Sequence, residues 1–223
     1  MKMKKIKIIA LAMLVTTASF AGNEDRTGSA GATQLLINPF ARSAAWGSAG
    51  SSFVNGLEAQ FLNIAGLAYT GKTELIFART NWLGGQSGIG LNAFGLAQRV
   101  SDNSAISISA MSLNYGEIPI TNYDNPEGGI GTYSPSANVF SIGYAKEFSE
   151  SIAGGINMKV VSEGNAAAKA TGVALDAGIR YTTGERDHMK FSIALKNVGP
   201  TMTYTGDGLS LETVNPVTGR SAT

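Results

Sequence analysis

Seven stretches of this chain alternate apolar and polar side chains with a period of two, a pattern that only a strand with two different environments on its faces can satisfy. Gly172 to Thr182 shows it most cleanly: Val173, Leu175, Ala177, Ile179 and Tyr181 fall on one face, Ala174, Asp176, Gly178 and Arg180 on the other. Met189, Phe191, Ile193 and Leu195 oppose Lys190, Ser192, Ala194 and Lys196 in the same way, and Phe140, Ile142, Tyr144 and Phe148 oppose Val139, Ser141, Gly143, Ala145 and Glu147. Ile152, Ile156, Met158 and Val160 oppose Asn157 and Lys159. Three earlier strands near 74–80, 89–100 and 105–115 alternate less regularly, and in the third the apolar face switches after Ile108, which predicts a bulge. The fold class is therefore all-β, with antiparallel strands joined by local turns.

The connections add direction. Ser101 to Asn103, Ser149 to Ser151 and Gly184 to Asp187 are tight turns, whereas Asn81 to Ser87, Gly116 to Ala137 and Ser162 to Thr171 read as longer loops. Short turns on one side and long loops on the other mark a transmembrane antiparallel β-barrel, although alternation by itself also suits a soluble sandwich. A strand of ~10 residues tilted ~45° covers about 23 Å, close to the ~25 Å apolar band of an outer membrane. Phe148 and Tyr181 belong near the short-turn boundary of such a band, Trp82 and Tyr115 near the long-loop boundary. Seven strands cannot close a bacterial barrel, which takes an even number of at least about eight. With a loop-like stretch at 199–223, this predicts that 73–198 supplies part of the wall of a longer protein.

The first 21 residues carry Lys2, Lys4, Lys5 and Lys7, an apolar run from Ile8 to Val15, and small residues at Ser19 and Ala21. That is a secretory signal with cleavage before Gly22, too short in its apolar run to span a bilayer. Its removal leaves 13 basic against 16 acidic residues, a net charge of −3, which excludes nucleic-acid binding by bulk charge. The chain has no cysteine, hence no disulfide framework and no thiolate chemistry. A flexible stretch is expected at 22–29. Residues 30–72 then carry apolar groups at helix-like or irregular spacing, broken by Pro39 and several glycines, and predict short helices with glycine turns.

Within that helical segment, Gly31 to Ile37, Ala41 to Phe53 and Phe61 to Ala68 resemble the three opening blocks of the PorV/PorQ family of outer-membrane proteins, and Leu195 to Tyr204 (LKNVGPTMTY) is similar to its N-V-G-P segment. The resemblance implies a FadL-like barrel of about fourteen strands when complete, with the helical segment folded as a hatch inside the lumen. It carries the hatch motif onto Ala41, Arg42, Gly47, Gly50, Asn63, Ala65 and Gly66 as structural residues. It also implies a place in the bacterial outer membrane beside the type IX secretion system, with lipid, translocon or sortase components and the C-terminal domains of secreted cargo as partners. Two positions depart from the pattern: Trp46 stands where methionine is common and Ile64 where proline is usual, the latter predicting a looser hatch turn.

Chemical motifs are sparse. Gly66 to Thr73 (GLAYTGKT) satisfies the phosphate-loop pattern, but that loop must follow a buried strand and open a helix, and here the order is reversed. A hatch-to-strand turn is the expectation, and no nucleotide. His188 is the only histidine and lies in a turn beside Glu185 and Asp187, where solvation explains it better than a metal or a triad. Asp124, Asn125, Glu127 and Gly128 lack the spacing of a calcium loop. Asp176, Arg180, Lys159, Lys190 and Lys196 share one side of their strands, as ion-pair bracing in a hydrated lumen or as a substrate pathway. No residue set calls for an enzyme, a cofactor or a metal.

Three functions remain: support of type IX secretion, with Tyr115, Tyr123 and Tyr133 of the longest loop as a partner-binding surface; a channel for hydrophobic small molecules, which predicts an apolar pocket between hatch and wall; and a soluble periplasmic β protein.

Overall fold

The computed structural model describes residues 31–82, 88–165, 167–209, 213–214 and 221–222. The signal at 1–21 and the stretch 22–29 lie outside these residues. Ten strands are labelled in chain order: β1 (Thr73–Asn81), β2 (Gly90–Ser101), β3 (Ser104–Asn114), β4 (Ile118–Pro119), β5 (Thr132–Tyr133), β6 (Ser136–Glu147), β7 (Ile152–Gly164), β8 (Lys169–Thr183), β9 (Met189–Val198) and β10 (Tyr204–Thr205). The long strands form one antiparallel sheet in the order β1-β2-β3-β6-β7-β8. β9 covers 175–183 of the far edge of β8 and β10 covers 169–170, so Tyr204–Thr205, within the stretch expected to be loop, resumes the same edge after Gly199 and Pro200. β4 and β5 make a small hairpin within the longest loop, and a two-residue pairing joins Thr213–Val214 to Ser221–Ala222. Among the described residues β1 pairs only with β2, and β9 only with β8, which leaves two open edges.

The two faces of this sheet are inverted relative to a protein dissolved in water. Small and polar residues point to the covered face: Ala97, Ala105, Ser107, Ser141, Ala145, Ala153, Asn157, Lys159, Asp176 and Arg180 are all buried. The large apolar residues point away and stay exposed, among them Phe77, Phe140, Ile142, Ile156, Leu175 and Ile179. The strand register arranges them in rows. Leu75, Leu96, Ile108, Ile142, Met158 and Leu175 are directly cross-strand, as are Phe77, Phe94, Ala110, Phe140, Val160 and Val173. One row nearer the loops, Arg79, Asn92, Ser112, Asn138, Ser162 and Thr171 form an unbroken polar line across the same six strands. A contiguous exposed apolar face with a polar border is the kind of surface that meets a partner or a membrane.

The covered face packs on the N-terminal helical segment, a series of short turns at Thr33–Leu36, Ala41–Ala45, Gly56–Glu58, Ala59–Leu62 and Ile64–Tyr69. Ile64–Tyr69 lies deepest, against β3, β6, β7 and β8. Small wall residues make that approach possible. A Cβ at Gly95 would come within 2.7 Å of Leu57 Cδ2, one at Gly143 within 2.8 Å of Ile64 Cδ1, and one at Gly178 would overlap Asn63 Oδ1. Leu57 and Leu67 are fully buried, and each such side chain contributes about 1.5–3 kcal/mol. Toward the loop side a second cluster joins Phe40, Leu91, Met111, Leu113, Val139 and Val161.

Several sequence expectations are corrected here. β3 pairs with β2 and β6 in continuous register from 105 to 114, without the expected bulge. Its change of pattern after Ile108 arises because Met111 and Leu113 face inward onto the Phe40 cluster while Ala110 and Ser112 face out. Irregularities occur instead in the β2–β3 pairing between Arg99 and Ser101 and between β8 and β9, where Asn197 adopts φ 58°. The connection expected from Ser162 to Thr171 is laddered almost to its tip, leaving only 165–168 outside the strands. Trp82 packs against the inner Phe40 cluster rather than joining an outward aromatic girdle. Ile64, at the position where a looser turn was expected, is 2% exposed and anchors the turn in the wall.

Candidate functional site

A buried polar seam joins the helical segment to the wall. Alternation along β7 places Asn157 and Lys159 inward, and along β8 it places Asp176 and Arg180 inward, so antiparallel pairing sets Asn157 directly opposite Asp176. Lys159 Nζ lies 2.6 Å from Asp176 Oδ2, with both side chains almost wholly buried. The same carboxylate oxygen accepts from Asn157 Nδ2 at 3.1 Å, and Asn157 Oδ1 accepts from Gln60 Nε2 of the helical segment at 3.0 Å. The irregularity at Asn197 completes the cage. Its extra residue turns the Asn197 amide onto Asp176 Oδ1 at 2.7 Å and its side-chain oxygen onto Lys159 Nζ at 2.8 Å. Asparagine tolerates the left-handed backbone that this needs. Both charges thus keep hydrogen-bond partners although almost none of either side chain is exposed, which is what makes a buried pair tolerable.

Further fasteners run beside it. Arg180 Nη1 donates to Val54 O at 3.1 Å and to Asn55 Oδ1 at 2.7 Å, and its guanidinium carbon lies 3.9 Å from the centroid of the Tyr69 ring. Lys196 Nζ donates to Phe61 O at 2.7 Å, and Leu57 N donates to Glu74 Oε2 at 2.8 Å. Asn63 Oδ1 accepts from Ala65 N at 3.0 Å while its Nδ2 donates to Ile179 O at 3.3 Å, so one side chain both caps a turn and ties it to β8.

The residues of the helical motif separate into two groups. Asn63, Ala65 and Gly66 are buried against the wall, and a Cβ on Gly66 would overlap Val54 O. Ala41, Arg42 and Gly47 lie exposed on a more open side, with Gly50 buried beneath Phe53, and there Arg42 Nη2 pairs with Glu58 Oε1 at 3.0 Å. That side carries a cleft of ≈ 270 Å³ between Arg42, Trp46, Phe53 and Glu58, lined only by the helical segment and by no wall strand. Between helices and wall the described residues form the packed Phe40 and Leu57 clusters. Gly178→Val should push Asn63 off β8 and lower stability by about 1–3 kcal/mol, read as a fall in the unfolding temperature of the purified chain; an unchanged transition would contradict this packing.

The three loop tyrosines do not come together. Tyr123 is 99% exposed, Tyr133 pairs with Ile118 in the small hairpin, and Tyr115 N donates to Pro135 O at 3.1 Å. Tyr115 is grouped instead with Glu163 and Tyr204: burial and then the Glu163 charge raise the Tyr115 phenol, and the Tyr204 phenol, which donates to Glu163, is pushed up to about 12, chiefly by that hydrogen bond. Both phenols therefore stay neutral donors at neutral pH.

The Gly66 to Thr73 stretch runs from the Ile64–Tyr69 turn into β1, and Gly66 N is already committed to Asn63 O at 3.0 Å. Lys72→Ala, at an exposed position, should leave stability within about 0.5 kcal/mol, measured by chemical unfolding, and leave export function intact; loss of that function in the still-assembled protein would reopen the phosphate-loop reading. His188 is exposed, with its ring against Gly184, and Asp124, Asn125, Glu127 and Gly128 sit in exposed turns. No group of three or more His, Cys, Asp or Glu suited to a metal occurs among the described residues.

The sequence reading singled out Lys159, Asp176, Arg180 and Lys196 but missed Glu58, Gln60, Tyr69 and Asn197. Polar residues stranded within the apolar helical run were the available signal for Glu58 and Gln60. Compared with known proteins, the sequence matches no family model and no curated protein.

Proposed function

We propose that this chain contributes wall and hatch to a FadL-like outer-membrane β-barrel that supports type IX protein secretion without catalysing a reaction, binding cargo or translocon components. The observation that carries the membrane part is the inverted sheet: three neighbouring polar and apolar rows in register across six strands, with Lys159, Asp176 and Arg180 on the covered face. In hydrocarbon an apolar outer face is the stable one, and strands can cross only if their edges are paired. The open edges of β1 and β9 are where further strands of a closed wall, about fourteen in all, would add. The polar seam fits a hatch held in a lumen, because its hydrogen bonds run from helical segment to wall.

The secretion role rests on the resemblance of the three N-terminal blocks and of Leu195 to Tyr204 to the PorV/PorQ pattern. The loop side, with exposed Tyr123 and the Tyr115, Glu163 and Tyr204 group, is the proposed partner surface, since aromatic and hydrogen-bonding side chains anchor interfaces. Purification of the tagged protein from its native membranes tests the proposal. Recovery with translocon, sortase or secreted-cargo components is expected, and recovery without any of them counts against it. The alternative of a channel for hydrophobic molecules draws on the Trp46 and Phe53 cleft, whose rings meet edge to face at 6.0 Å.

A further inference from the structure

The exposed apolar face is not uniform. At the border between its apolar and polar rows it contains a depression of ≈ 380 Å³. The cause is one small residue. Ala110 sits cross-strand between Phe94 and Phe140, and those two rings, with Phe77 and Val160 beyond them, stand up on either side of it. Adjacent strands lie ≈ 4.8 Å apart, so the two rings rise from backbones about 10 Å apart and leave a trough about as wide as one hydrocarbon chain. The loop-side end of the trough is polar: Asn92, Ser112 and Asn138 stand in the next row, side by side across the same strands. Arg79, directly cross-strand from Asn92, brings a positive charge to that end. Among the described residues the two apolar rows carry no charge, and Arg79, next to the lining residue Asn92, defines the complementary ligand end.

We propose that this trough is a seat for a single acyl chain of an anionic phospholipid, with the lipid phosphate on Arg79 and its ester or hydroxyl groups on Asn92, Ser112 and Asn138. The proposal rests on the membrane reading above and deepens it by naming a lipid class and a place. The chain lies along Ala110 between the phenyl rings, where it makes contacts that a flat apolar surface does not offer, and the guanidinium supplies a bidentate donor pair for the phosphate. Asparagine and serine side chains at the same depth satisfy the neutral polar groups next to the phosphate. The Tyr115, Glu163 and Tyr204 group lies farther toward the loops and offers a carboxylate, which does not suit an anion.

Native mass spectrometry of the full chain from mixed micelles holding phosphatidylglycerol or phosphatidylcholine tests the site. The wild-type protein should retain phosphatidylglycerol about fivefold over phosphatidylcholine, the effect expected of one basic side chain near an anionic headgroup. Arg79→Gln should remove that preference while leaving retention itself, and Ala110→Phe, which fills the trough at an exposed position, should cut retention of both lipids. Ile193→Phe, elsewhere on the same face, should change neither. Wild-type retention by Ala110→Phe, or an undiminished preference in Arg79→Gln, overturns the seat. Membrane fractionation of the same cells separates the two levels: a membrane-integrated protein with unaltered lipid retention overturns the site alone, whereas recovery of the native protein in the soluble fraction overturns the membrane reading beneath it.

Discussion

Asp176→Ala should be the most damaging single substitution in the wall, lowering stability by about 3–5 kcal/mol, because it strands the buried Lys159 ammonium without its counter-ion. The same change removes the acceptors of the Asn157 side chain and of the Asn197 amide, so the loss extends to the Gln60 bond that ties helical segment to wall. Urea unfolding of the purified chain measures the loss, and limited proteolysis between residues 40 and 62 reads release of the segment. The paired replacement Lys159→Met with Asp176→Leu removes both charges together and should recover much of the stability, since an apolar pair of similar volume is often neutral or better in a buried setting. Proteolysis should still find the segment loosened in that double variant, because Asn157 has lost its anchor. If Asp176→Ala and the double variant are equally stable, the pair is not the fastener described here.

Ile142→Arg addresses the other face. Ile142 lies cross-strand between Ile108 and Met158 in the middle of the apolar rows and is 46% exposed. In water an arginine at such an exposed position changes stability by within about 0.5 kcal/mol. Facing hydrocarbon it costs about 2–4 kcal/mol near the midplane. Unfolding of the protein reconstituted in phospholipid vesicles, and the fraction assembled in native membranes, should both fall. A parallel Ser112→Arg variant, in the polar row, should fall much less. Equal tolerance at the two positions would mean that the apolar face meets water or a polar partner.

The strands and the assignment of their faces were readable from local alternation, as Val173 to Tyr181 illustrates, because period two is a property of neighbouring residues. What alternation could not supply was which medium each residue meets at a given depth. Met111 and Leu113 looked like a slip of register and are a continuous strand crossing an apolar zone of the interior. Trp82 looked like a border residue and is an inward one. The 162–171 stretch looked like loop because Glu163, Gly164 and Ala170 are weak strand formers, yet cross-strand pairing overrides that preference. For the polar seam, Lys159 and Asp176 were visible as charges on one side of their strands. Their connection to Gln60 was not, since that link spans 97 residues through Asn157 and depends on how the helical segment docks. Asn197 was equally hidden, because its role follows from an irregular pairing of β8 with β9 that no composition signals.

The absence of native cysteine permits a direct test of the central claim, that the apolar face is covered by lipid and the seam face is not. Single cysteines at Val173, Leu175 and Ile179, which point outward on β8, and at Thr171 in the polar row, can be introduced one at a time and labelled in intact cells with water-soluble and lipid-soluble maleimides. The account predicts that Val173, Leu175 and Ile179 react with the lipid-soluble reagent and resist the water-soluble one, and that Thr171 reacts with both. Rapid labelling of all four positions by the water-soluble reagent would contradict it.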